Sequence, residues 1–227
     1  MRTKRANIDS LNLSHAQLEA VFIYHEDYSI ETVKTKSVFN PTAWSKAFGK
    51  TLTQNIIEAK IIHTYLGLRL PLKTYSRSKD TPVVEFAGLH GYNERSTLLT
   101  QTLRELESQL QETRVIRIDI AIDFKGKMPK SITKALSKTR EPFRWKNTTY
   151  YKTAKEKKVN QKMDIKIYDK ALYAGLDYPM MRLEFCFKND YLKKVQLKDI
   201  ESLYSKMQKS IKRATGLDVK IERFFSL

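Results

Sequence analysis

A strand-like segment carries charged side chains at alternate positions. It reads Val115-Ile-Arg-Ile-Asp-Ile-Ala-Ile-Asp-Phe. Successive side chains of a β-strand point to opposite faces, so Arg117, Asp119 and Asp123 share one face and the isoleucines share the other. The aliphatic face is expected to pack on a core, which leaves the charged face for solvent or for chemistry.

A second segment, Met180–Phe187, repeats this pattern. Arg182 and Glu184 alternate with large apolar residues and share a face of the predicted strand. If the two strands are neighbours in a sheet, Asp119, Asp123 and Glu184 come close together. Carboxylates held close repel one another unless a cation or basic side chains neutralise them.

Two interpretations of this acidic cluster follow from the chemistry of its residues. Hard oxygen ligands suit Mg²⁺ or Mn²⁺, and such an ion polarises phosphate oxygens. The sequence therefore predicts a metal site formed by Asp119, Asp123 and Glu184. Alternatively, Arg117 and Arg182 pair with these carboxylates across strands, as charged side chains on exposed sheets do.

A tyrosine stands between two lysines on a third predicted strand. In Asp164-Ile-Lys-Ile-Tyr-Asp-Lys, alternation places Lys166, Tyr168 and Lys170 on one face. The neighbouring positive charges are expected to favour the phenolate over the phenol, whose pKa is ordinarily about 10. Tyr168 is thus a candidate nucleophile for a covalent intermediate, with Lys166 and Lys170 beside it. The alternative is an ordinary sheet tyrosine, one of 12 in the chain.

The remaining reactive residue types give weaker signals. None of the four histidines forms the His-hydrophobic-His pair of the best-known single-strand endonucleases: they are His15, His25, His63 and His90. His90, in Gly88-Leu-His-Gly, is predicted to be a turn residue. There is no Gly-rich phosphate loop of the Walker type, so ATP use has no support. The one cysteine, Cys186, can form neither an internal disulfide nor a Cys-based zinc site.

The charge balance indicates a polyanionic partner. The chain has 42 Lys and Arg against 25 Asp and Glu, a net charge of +17, and a pI near 9.8. The window from Lys125 to Lys170 holds 15 Lys and Arg and 4 Asp and Glu, which is +11 of that excess. Basic side chains gain affinity for nucleic acid by releasing condensed counterions. The other possible partners of so basic a chain are an anionic membrane surface and a large acidic protein. The candidate DNA contacts are Lys152, Lys155, Lys157, Lys158, Lys162, Lys206, Lys209, Lys212 and Arg213.

The composition of the 227 residues predicts a folded cytoplasmic protein. With 41% hydrophobic residues, and with only 7 Gly and 6 Pro, the chain can build a core. No apolar run approaches the roughly 18 to 20 residues of a membrane-spanning helix. The basic start is not followed by the apolar region of a signal peptide, so neither insertion into a membrane nor secretion is expected.

The order of the predicted elements favours an α+β fold. Residues 1–17 are predicted to be a polar lead-in with weak structure, and residues 18–227 a single domain. Helices are predicted over 41–50, 96–112, 129–138 and 197–213. Strands are predicted over 18–24, over 56–72 with a break at Gly67, and over 82–87, 115–124, 143–151, 163–168 and 180–187, with the polar run 76–80 as a second break. This order alternates too little for a doubly wound parallel sheet. It predicts a mainly antiparallel sheet backed by helices, with 18–112 and 113–227 as candidates for two related strand-helix-strand halves.

Five short blocks, in this order and spacing, resemble the replication initiators of rolling-circle plasmids and phages, the replication-initiation-factor family often labelled Rep_trans. The blocks fall within residues 83–188, about half of the chain. They are Gly88-Leu-His-Gly-Tyr-Asn, Thr113-Arg-Val-Ile-Arg-Ile-Asp-Ile-Ala-Ile-Asp, Thr148-Thr-Tyr-Tyr, Ile165-Lys-Ile-Tyr-Asp-Lys and Met181-Arg-Leu-Glu.

The resemblance implies a metal-dependent nickase that cuts one strand at an origin and keeps the 5′ phosphate on a tyrosine. It implies Tyr168 as the nucleophile, with Tyr150 and Tyr151 as alternatives, and Asp119 and Glu184, with Asp123, as ligands of Mg²⁺ or Mn²⁺. The partners it implies are origin DNA in a single-stranded or cruciform segment and a host helicase and polymerase; a homodimer is a candidate assembly. The other function class is a non-catalytic origin-binding or regulatory protein, whose acidic residues serve only in salt bridges.

Overall fold

A β-sheet runs through the part of the chain that the computed structural model describes, which comprises residues 3–14, 22, 26–37, 54–74, 82–152 and 163–223. Its strands are β1 (Lys4–Ser14), β2 (Tyr28–Ser37), β3 (Gln54–His63), β4 (Arg69–Thr74), β5 (Pro82–Ala87), β6 (Arg114–Lys125), β7 (Glu141–Trp145), β8 (Thr148–Lys152), β9 (Met163–Asp169), β10 (Met180–Lys188) and β11 (Val219–Ile221). The helices are α1 (Glu94–Glu105), α2 (Glu107–Leu110), α3 (Lys130–Ser137), α4 (Lys170–Ala174) and α5 (Tyr204–Thr215), with two 3₁₀ helices, Asn189–Leu192 and Leu197–Leu203, before α5. Within these ranges, no helix is long and apolar enough to cross a membrane.

The strands lie in the order β2-β3-β4-β5-β1-β6-β10-β9-β8-β7, and each neighbouring pair along this path is antiparallel. The short strand β11 pairs in parallel with the start of β1. The predicted α+β class, with a mainly antiparallel sheet backed by helices, is confirmed.

The two halves of the sheet have the same strand order. The strands β1 and β6 are adjacent at the centre. Moving outward from β1, the strands are β5, β4, β3 and β2; moving outward from β6, they are β10, β9, β8 and β7. In each half, therefore, the first strand is central, the last strand lies beside it, and the others follow in reverse order to the edge.

The first strand is central to the sheet, so the expectation of weak structure over residues 1–17 is wrong for Lys4–Ser14. Aliphatic side chains alternate with small polar ones along β1, and the aliphatic ones are buried: Ala6, Ile8, Leu11 and Leu13. The alternation is interrupted by a β-bulge at Asp9, because Ile8 faces Ile120 and Ser10 faces Asp119. This extra residue breaks the period of two on which strand prediction depends.

Several predicted boundaries differ from the structure. The single strand predicted over 143–151 is a hairpin, β7 and β8, whose turn places Lys146 at a positive φ of 51°. The cap of α1 is Asn93, whose side chain accepts a hydrogen bond from the Ser96 backbone, and not Ser96 itself. Of the strand predicted over 18–24 only Phe22 is described, with a helical backbone; the helix predicted over 41–50 lies outside the described residues.

One core lies between the apolar face of the sheet and the helices. The isoleucine side chains of β6, including Ile118 and Ile120, are fully buried. Leu103 of α1 and Met207 and Ile211 of α5 belong to the same cluster. Each buried aliphatic side chain contributes about 1.5–3 kcal/mol, so the core determines which face each strand turns outward. The outward face carries the charged residues.

Candidate active site

Three adjacent strands, β6, β10 and β9, turn charged and hydroxyl side chains to one face. Residues directly opposite each other on antiparallel strands share a face. Lys166 on β9 lies opposite Glu184 on β10, and Tyr168 lies opposite Arg182. Across the other edge of β10, Asp123 of β6 also lies opposite Arg182. The two predicted acidic strands and the predicted tyrosine strand are therefore neighbours.

A cavity of about 530 Å³ lies over this polar face. Its lining includes five of the residues singled out from the sequence: Asp119, Lys166, Tyr168, Lys170 and Glu184. Tyr150 also lines the cavity, whereas the Tyr151 ring is buried in the core on the opposite face. A larger depression of about 850 Å³ beside α1 is lined by residues 89–105 and contains none of these candidates. Of the three tyrosines considered as nucleophiles, Tyr168 and Tyr150 reach the cavity.

The buried carboxylate of Glu184 is hydrogen-bonded to Tyr168 and ion-paired with Lys166, both of which are half-buried. The Tyr168 hydroxyl donates to Oε2 of Glu184 at 2.9 Å, and Nζ of Lys166 lies 2.6 Å from Oε1. Burial raises the pKa of Glu184 to about 7; the charge of Asp119 also raises it, and the ammonium of Lys166 limits the rise. A carboxyl group with this pKa, hydrogen-bonded to a phenol, is placed to accept the phenolic proton at neutral pH.

The expectation that the lysines favour the Tyr168 phenolate is wrong for this arrangement. Burial and the carboxylate of Glu184 raise the pKa of Tyr168 well above its ordinary value. The charge of Lys166 is directed to Glu184, and Nζ of Lys170 lies 5.9 Å from the ring centroid of Tyr173. Burial and the neighbouring Arg182 lower the pKa of Lys170. Tyr168 is therefore a protonated phenol that needs a proton acceptor before it can attack.

Asp119 is held by a bidentate ion pair within its own strand. Nε and Nη2 of Arg117 donate to the two carboxylate oxygens at 2.9 and 2.7 Å. Burial alone would raise the pKa of Asp119, but the hydrogen bonds and charge of Arg117 outweigh it, so the pKa lies below its ordinary value. The thiol of Cys186, opposite Asp119, is buried, and burial raises its pKa. Asp119 is thus an anion beside the cavity.

A second charged group surrounds Arg182, whose side chain is fully buried. The guanidinium donates to Asp9 at 2.6 Å, to both oxygens of Asp123 at 2.7 and 2.8 Å, and to the backbone oxygen of His90 at 2.8 Å. The hydroxyl of Tyr92 donates to Asp123 at 2.5 Å. Burial by itself would raise the pKa of Asp123. The hydrogen bonds and charge of Arg182 lower it by more, so the pKa lies below its ordinary value.

The three predicted metal ligands do not form one set. Asp119 and Glu184 are close enough that each alters the pKa of the other, whereas Asp123 is bound to Arg182 and Tyr92. Within the described ranges, no group of three or more His, Cys, Asp and Glu side chains is arranged to hold a metal ion. Asp123 therefore lies apart from the pair formed by Asp119 and Glu184, and the metal site itself stays a prediction. Mg²⁺ commonly uses one or two carboxylates together with substrate phosphates and waters, and Asp119 and Glu184 fit that smaller requirement.

The predicted basic contacts fall in three places. Lys152 is exposed at the end of β8, with its Nζ 5.5 Å from the ring centroid of Phe143. Lys155, Lys157, Lys158 and Lys162 lie outside the described residues. The remaining four are exposed on α5: Lys206, Lys209, Lys212 and Arg213. Because α5 packs on the apolar face of the sheet, its basic side chains and the cavity are on opposite sides.

Sequence reasoning missed part of the site. Asp9 falls in the predicted polar lead-in, and the sequence pattern indicates no role for Arg182 beyond a salt bridge. His90 does lie in a turn, but its ring is 3.2 Å from the side chain of Asn7 and 3.1 Å from the hydroxyl of Tyr92. The sequence does alternate on either side of Asp9, but the bulge residue interrupts the pattern, so no single run of period two marks β1.

Comparison with known proteins gives one informative result. No protein-family model matches the chain, and no curated protein matches it in sequence. Among solved structures, the chain is similar to a rolling-circle replication initiator protein from Geobacillus stearothermophilus, with a TM-score of 0.51 and 13% sequence identity. The chain shares its fold with a replication initiator. The similarity covers 93% of this chain and 85% of that protein, so the shared fold includes both halves of the sheet.

Proposed function

We propose that this chain initiates rolling-circle DNA replication by cutting one strand and keeping the 5′ phosphate on Tyr168. The observation that carries the proposal is the hydroxyl of Tyr168, which donates to the buried carboxylate of Glu184 beside a cavity lined by both basic and acidic side chains. The fold shared with a replication initiator supports the same role. Such an enzyme acts in the cytoplasm.

In the proposed reaction, the oxygen of Tyr168 attacks the scissile phosphorus while its proton moves to Oε2 of Glu184. The new bond joins the tyrosine oxygen to phosphorus, and the bond from phosphorus to the 3′ oxygen breaks. The 3′ oxygen takes up a proton from water and leaves as a hydroxyl that a polymerase can extend. Transesterification conserves the energy of the broken bond in the phosphotyrosine, which allows later rejoining.

Cationic side chains on the cavity wall would stabilise the charge that develops on the phosphate. Arg117, Lys166 and Lys170 all line the cavity. Fixed charges in a site shielded from water stabilise a transition state more than mobile charges do. Pairing with Asp119 and Glu184 keeps Arg117 and Lys166 in place before DNA arrives.

Mg²⁺ or Mn²⁺ would be held by Asp119 and Glu184 together with phosphate oxygens and water. The ion would supply Lewis-acid polarisation of the phosphate. Because both carboxylates are ion-paired with Arg117 and Lys166, a cation has to compete with those partners.

Covalent capture of DNA tests the proposal. The protein is incubated with Mn²⁺ and a supercoiled plasmid that carries its gene and flanking DNA, and SDS is then added. We expect nicked DNA with protein on the 5′ end, and no adduct with Tyr168→Phe, whose DNA affinity should stay close to that of the unsubstituted protein because only a hydroxyl is lost. An adduct formed by Tyr168→Phe would instead place the nucleophile on another tyrosine, and Tyr150 and Tyr173, which also line the cavity, are the next to test.

A non-catalytic origin-binding function is the second candidate. The observation that favours it is that Asp119 and Asp123 are both in ion pairs with arginines. It predicts DNA binding with no adduct under any metal condition.

In the nicking function, a host helicase and polymerase complete replication, since the sequence has no motif for either.

A further inference from the structure

The outermost strand of the second half presents two large aromatic side chains to solvent. All five residues of β7 are exposed. Phe143 is 52% and Trp145 is 59% exposed. Burial of such rings is worth several kcal/mol to a fold, so two of them side by side on an exposed strand indicate a binding surface.

The register places these rings on the same face as the catalytic tyrosine. Trp145 lies opposite Thr148 on β8, and Thr148 lies opposite Tyr168 on β9. Phe143 and Tyr150 are paired in the same way one step along the hairpin. With neighbouring strands about 4.8 Å apart, the backbones of Trp145 and Tyr168 are separated by about 10 Å. The aromatic pair therefore extends the floor of the cavity to the edge of the sheet.

The charge around the rings suits a nucleic-acid strand. Residues 138–152 contain five Lys and Arg and one acidic residue, Glu141. Lys152 lies over the ring of Phe143, and the turn between the strands carries Lys146. Exposed aromatic rings bordered by cations are typical of surfaces that bind single strands: the rings stack on bases and the cations contact phosphates. Phe143 and Trp145 are two residues apart, about 6.7 Å along the strand, so each ring has room for its own base.

We propose that Phe143 and Trp145 form a stacking surface for two unpaired bases of the strand whose phosphate enters the cavity. This inference rests on the proposed function, and it assigns two residues of β7 to the unpaired bases beside the cut. In a duplex, the base faces are covered by neighbouring base pairs and cannot stack on a protein ring. The segment that binds at β7 is therefore single-stranded when the protein engages it.

A second copy of the chain adding to the exposed edge of β7 is the competing occupant. Proline cannot donate to a sheet ladder, and Pro142 is the second of the five residues of β7. The side chain of Arg144 donates to the backbone oxygen of Lys146, which occupies one acceptor of the turn. Proline and charged residues on an edge strand oppose pairing with another strand. The single strand is therefore the occupant that fits.

Binding to a cleavage-resistant protein tests the inference. In a Tyr168→Phe background, affinities are measured for a labelled single strand, the same strand with two adjacent abasic positions, and a matched duplex. Phe143→Ala and Trp145→Ala should each weaken single-strand binding by about 5- to 150-fold, the range for loss of one stacked base. Trp145→Phe, which retains a ring, should lose less. Tyr65→Ala, which removes an 80% exposed ring from the other half of the sheet, is the matched control and should lose nothing.

Two further measurements complete the test. The chain has two tryptophans, Trp44 and Trp145, so Trp44→Phe leaves Trp145 as the sole indole, whose fluorescence should be quenched by the single strand. The abasic strand should bind equally well to the Tyr168→Phe protein and to its two alanine variants at β7, because the bases that would stack on the rings are missing.

Unchanged single-strand affinity in both alanine variants, or an equal loss for the duplex, overturns the inference. So does a change in self-association without a change in DNA binding, which assigns the surface to a second copy. Because binding is measured without cleavage, a failed nicking test leaves this result interpretable. A positive stacking result would then describe a single-strand-binding protein that does not cut DNA.

Discussion

Two opposing effects on one carboxyl group set the chemistry of the candidate active site. Burial makes the charged form of Glu184 costly, while Lys166, 2.6 Å away, favours it. Asp119 acts in the same direction as burial, and the pKa of Glu184 settles at about 7. A general base works best when its pKa is near the working pH, because it is then both unprotonated and basic enough to take a proton.

This balance predicts the pH dependence of adduct formation. Only unprotonated Glu184 can accept the proton of Tyr168, and its pKa without a bound cation is about 7. A cation held by Glu184 lowers that pKa, so the rate should rise with pH below about 7 and level off at a pH that falls as the Mn²⁺ concentration is raised. Single-turnover rates on a short single strand measure this profile. Glu184→Gln removes the proton acceptor. It should lower the rate at high pH by about 10²- to 10⁴-fold and abolish the rise of the rate with pH.

Glu85 offers the matched control for that substitution. Glu85 is on β5 and lies opposite Asn12 of β1, just as Glu184 is on β10 and lies opposite Ala121 of β6. Glu85 does not line the cavity. Glu85→Gln should therefore keep both the rate at high pH and its rise with pH. A rise with pH that persists in Glu184→Gln would assign the titration to a different group.

At the scale of elements, Arg182 joins three strands and a loop. Its guanidinium binds Asp9 on β1 and Asp123 on β6, and it also binds the backbone of His90 before α1. Fully buried charge is tolerated only when it is paired and hydrogen-bonded. The bulge at Asp9 is thus structural, since it supplies one of the two carboxylates that neutralise Arg182.

The two aspartates of β6 should therefore respond differently to loss of charge. Asp123→Asn is expected to lower the free energy of unfolding by about 3 kcal/mol, the lower end for a broken buried ion pair, because Asp9 still faces Arg182. Asp119→Asn should cost less, since its partner Arg117 is 42% exposed and can be hydrated. Urea unfolding measures both losses.

Mn²⁺ affinity should show the reverse order. An amide is a poorer ligand for a hard cation than a carboxylate, so a calorimetric titration should find weaker Mn²⁺ binding in Asp119→Asn and unchanged binding in Asp123→Asn. Mn²⁺ binding that depends on Asp123 would restore the three-carboxylate site and contradict the arrangement described here.

The same elements show what the sequence can predict. The strands β6, β9 and β10 were predictable because strict alternation of aliphatic and polar residues marks a strand with one buried face. The strand β1 was not, because the bulge residue Asp9 interrupts its alternation. The β7–β8 turn was not either, because Lys146 takes a positive φ where glycine or asparagine would have signalled a hairpin. Pairings such as that of Arg182 with Asp9 depend on strand order, which no local pattern contains.

At the scale of the whole molecule, the halves share strand order but not chemistry. The dipeptide Glu85-Phe86 of β5 occupies the same place in its half as Glu184-Phe185 of β10, and both phenylalanine rings are fully buried. Apolar positions are thus preserved on the core face, where packing constrains them. On the polar face, the first half has Asn12 beside Glu85, whereas the second half brings Tyr168 and Lys166 to Glu184.

The basic charge is also divided between two regions. One includes the lysine-rich segment 153–162, which joins β8 to β9. The residues that flank this segment are Lys152, the last residue of β8, and Met163, the first residue of β9. Both lie toward the end of β9 that is away from Tyr168. The other region is α5, on the opposite side of the sheet from the cavity. A short strand bound at the cavity cannot also contact α5, whereas a longer duplex that passes around the sheet can.

Salt dependence should separate the two regions. Each phosphate contact on a single strand contributes about 0.7 to the slope of log affinity against log salt, so changing Lys155, Lys157 and Lys158 together to Ala should lower its magnitude by about 2, for all sequences alike. Changing Lys206, Lys209 and Arg213 together to Ala removes the same charge from α5. That variant should leave the short-strand slope unchanged and weaken binding to a long duplex, together with any preference for the origin. Fluorescence anisotropy over a range of salt concentrations measures both. An equal loss of slope on the short strand in the α5 variant would place the DNA path on the helical side of the sheet, away from Tyr168, and would separate DNA binding from the proposed cut.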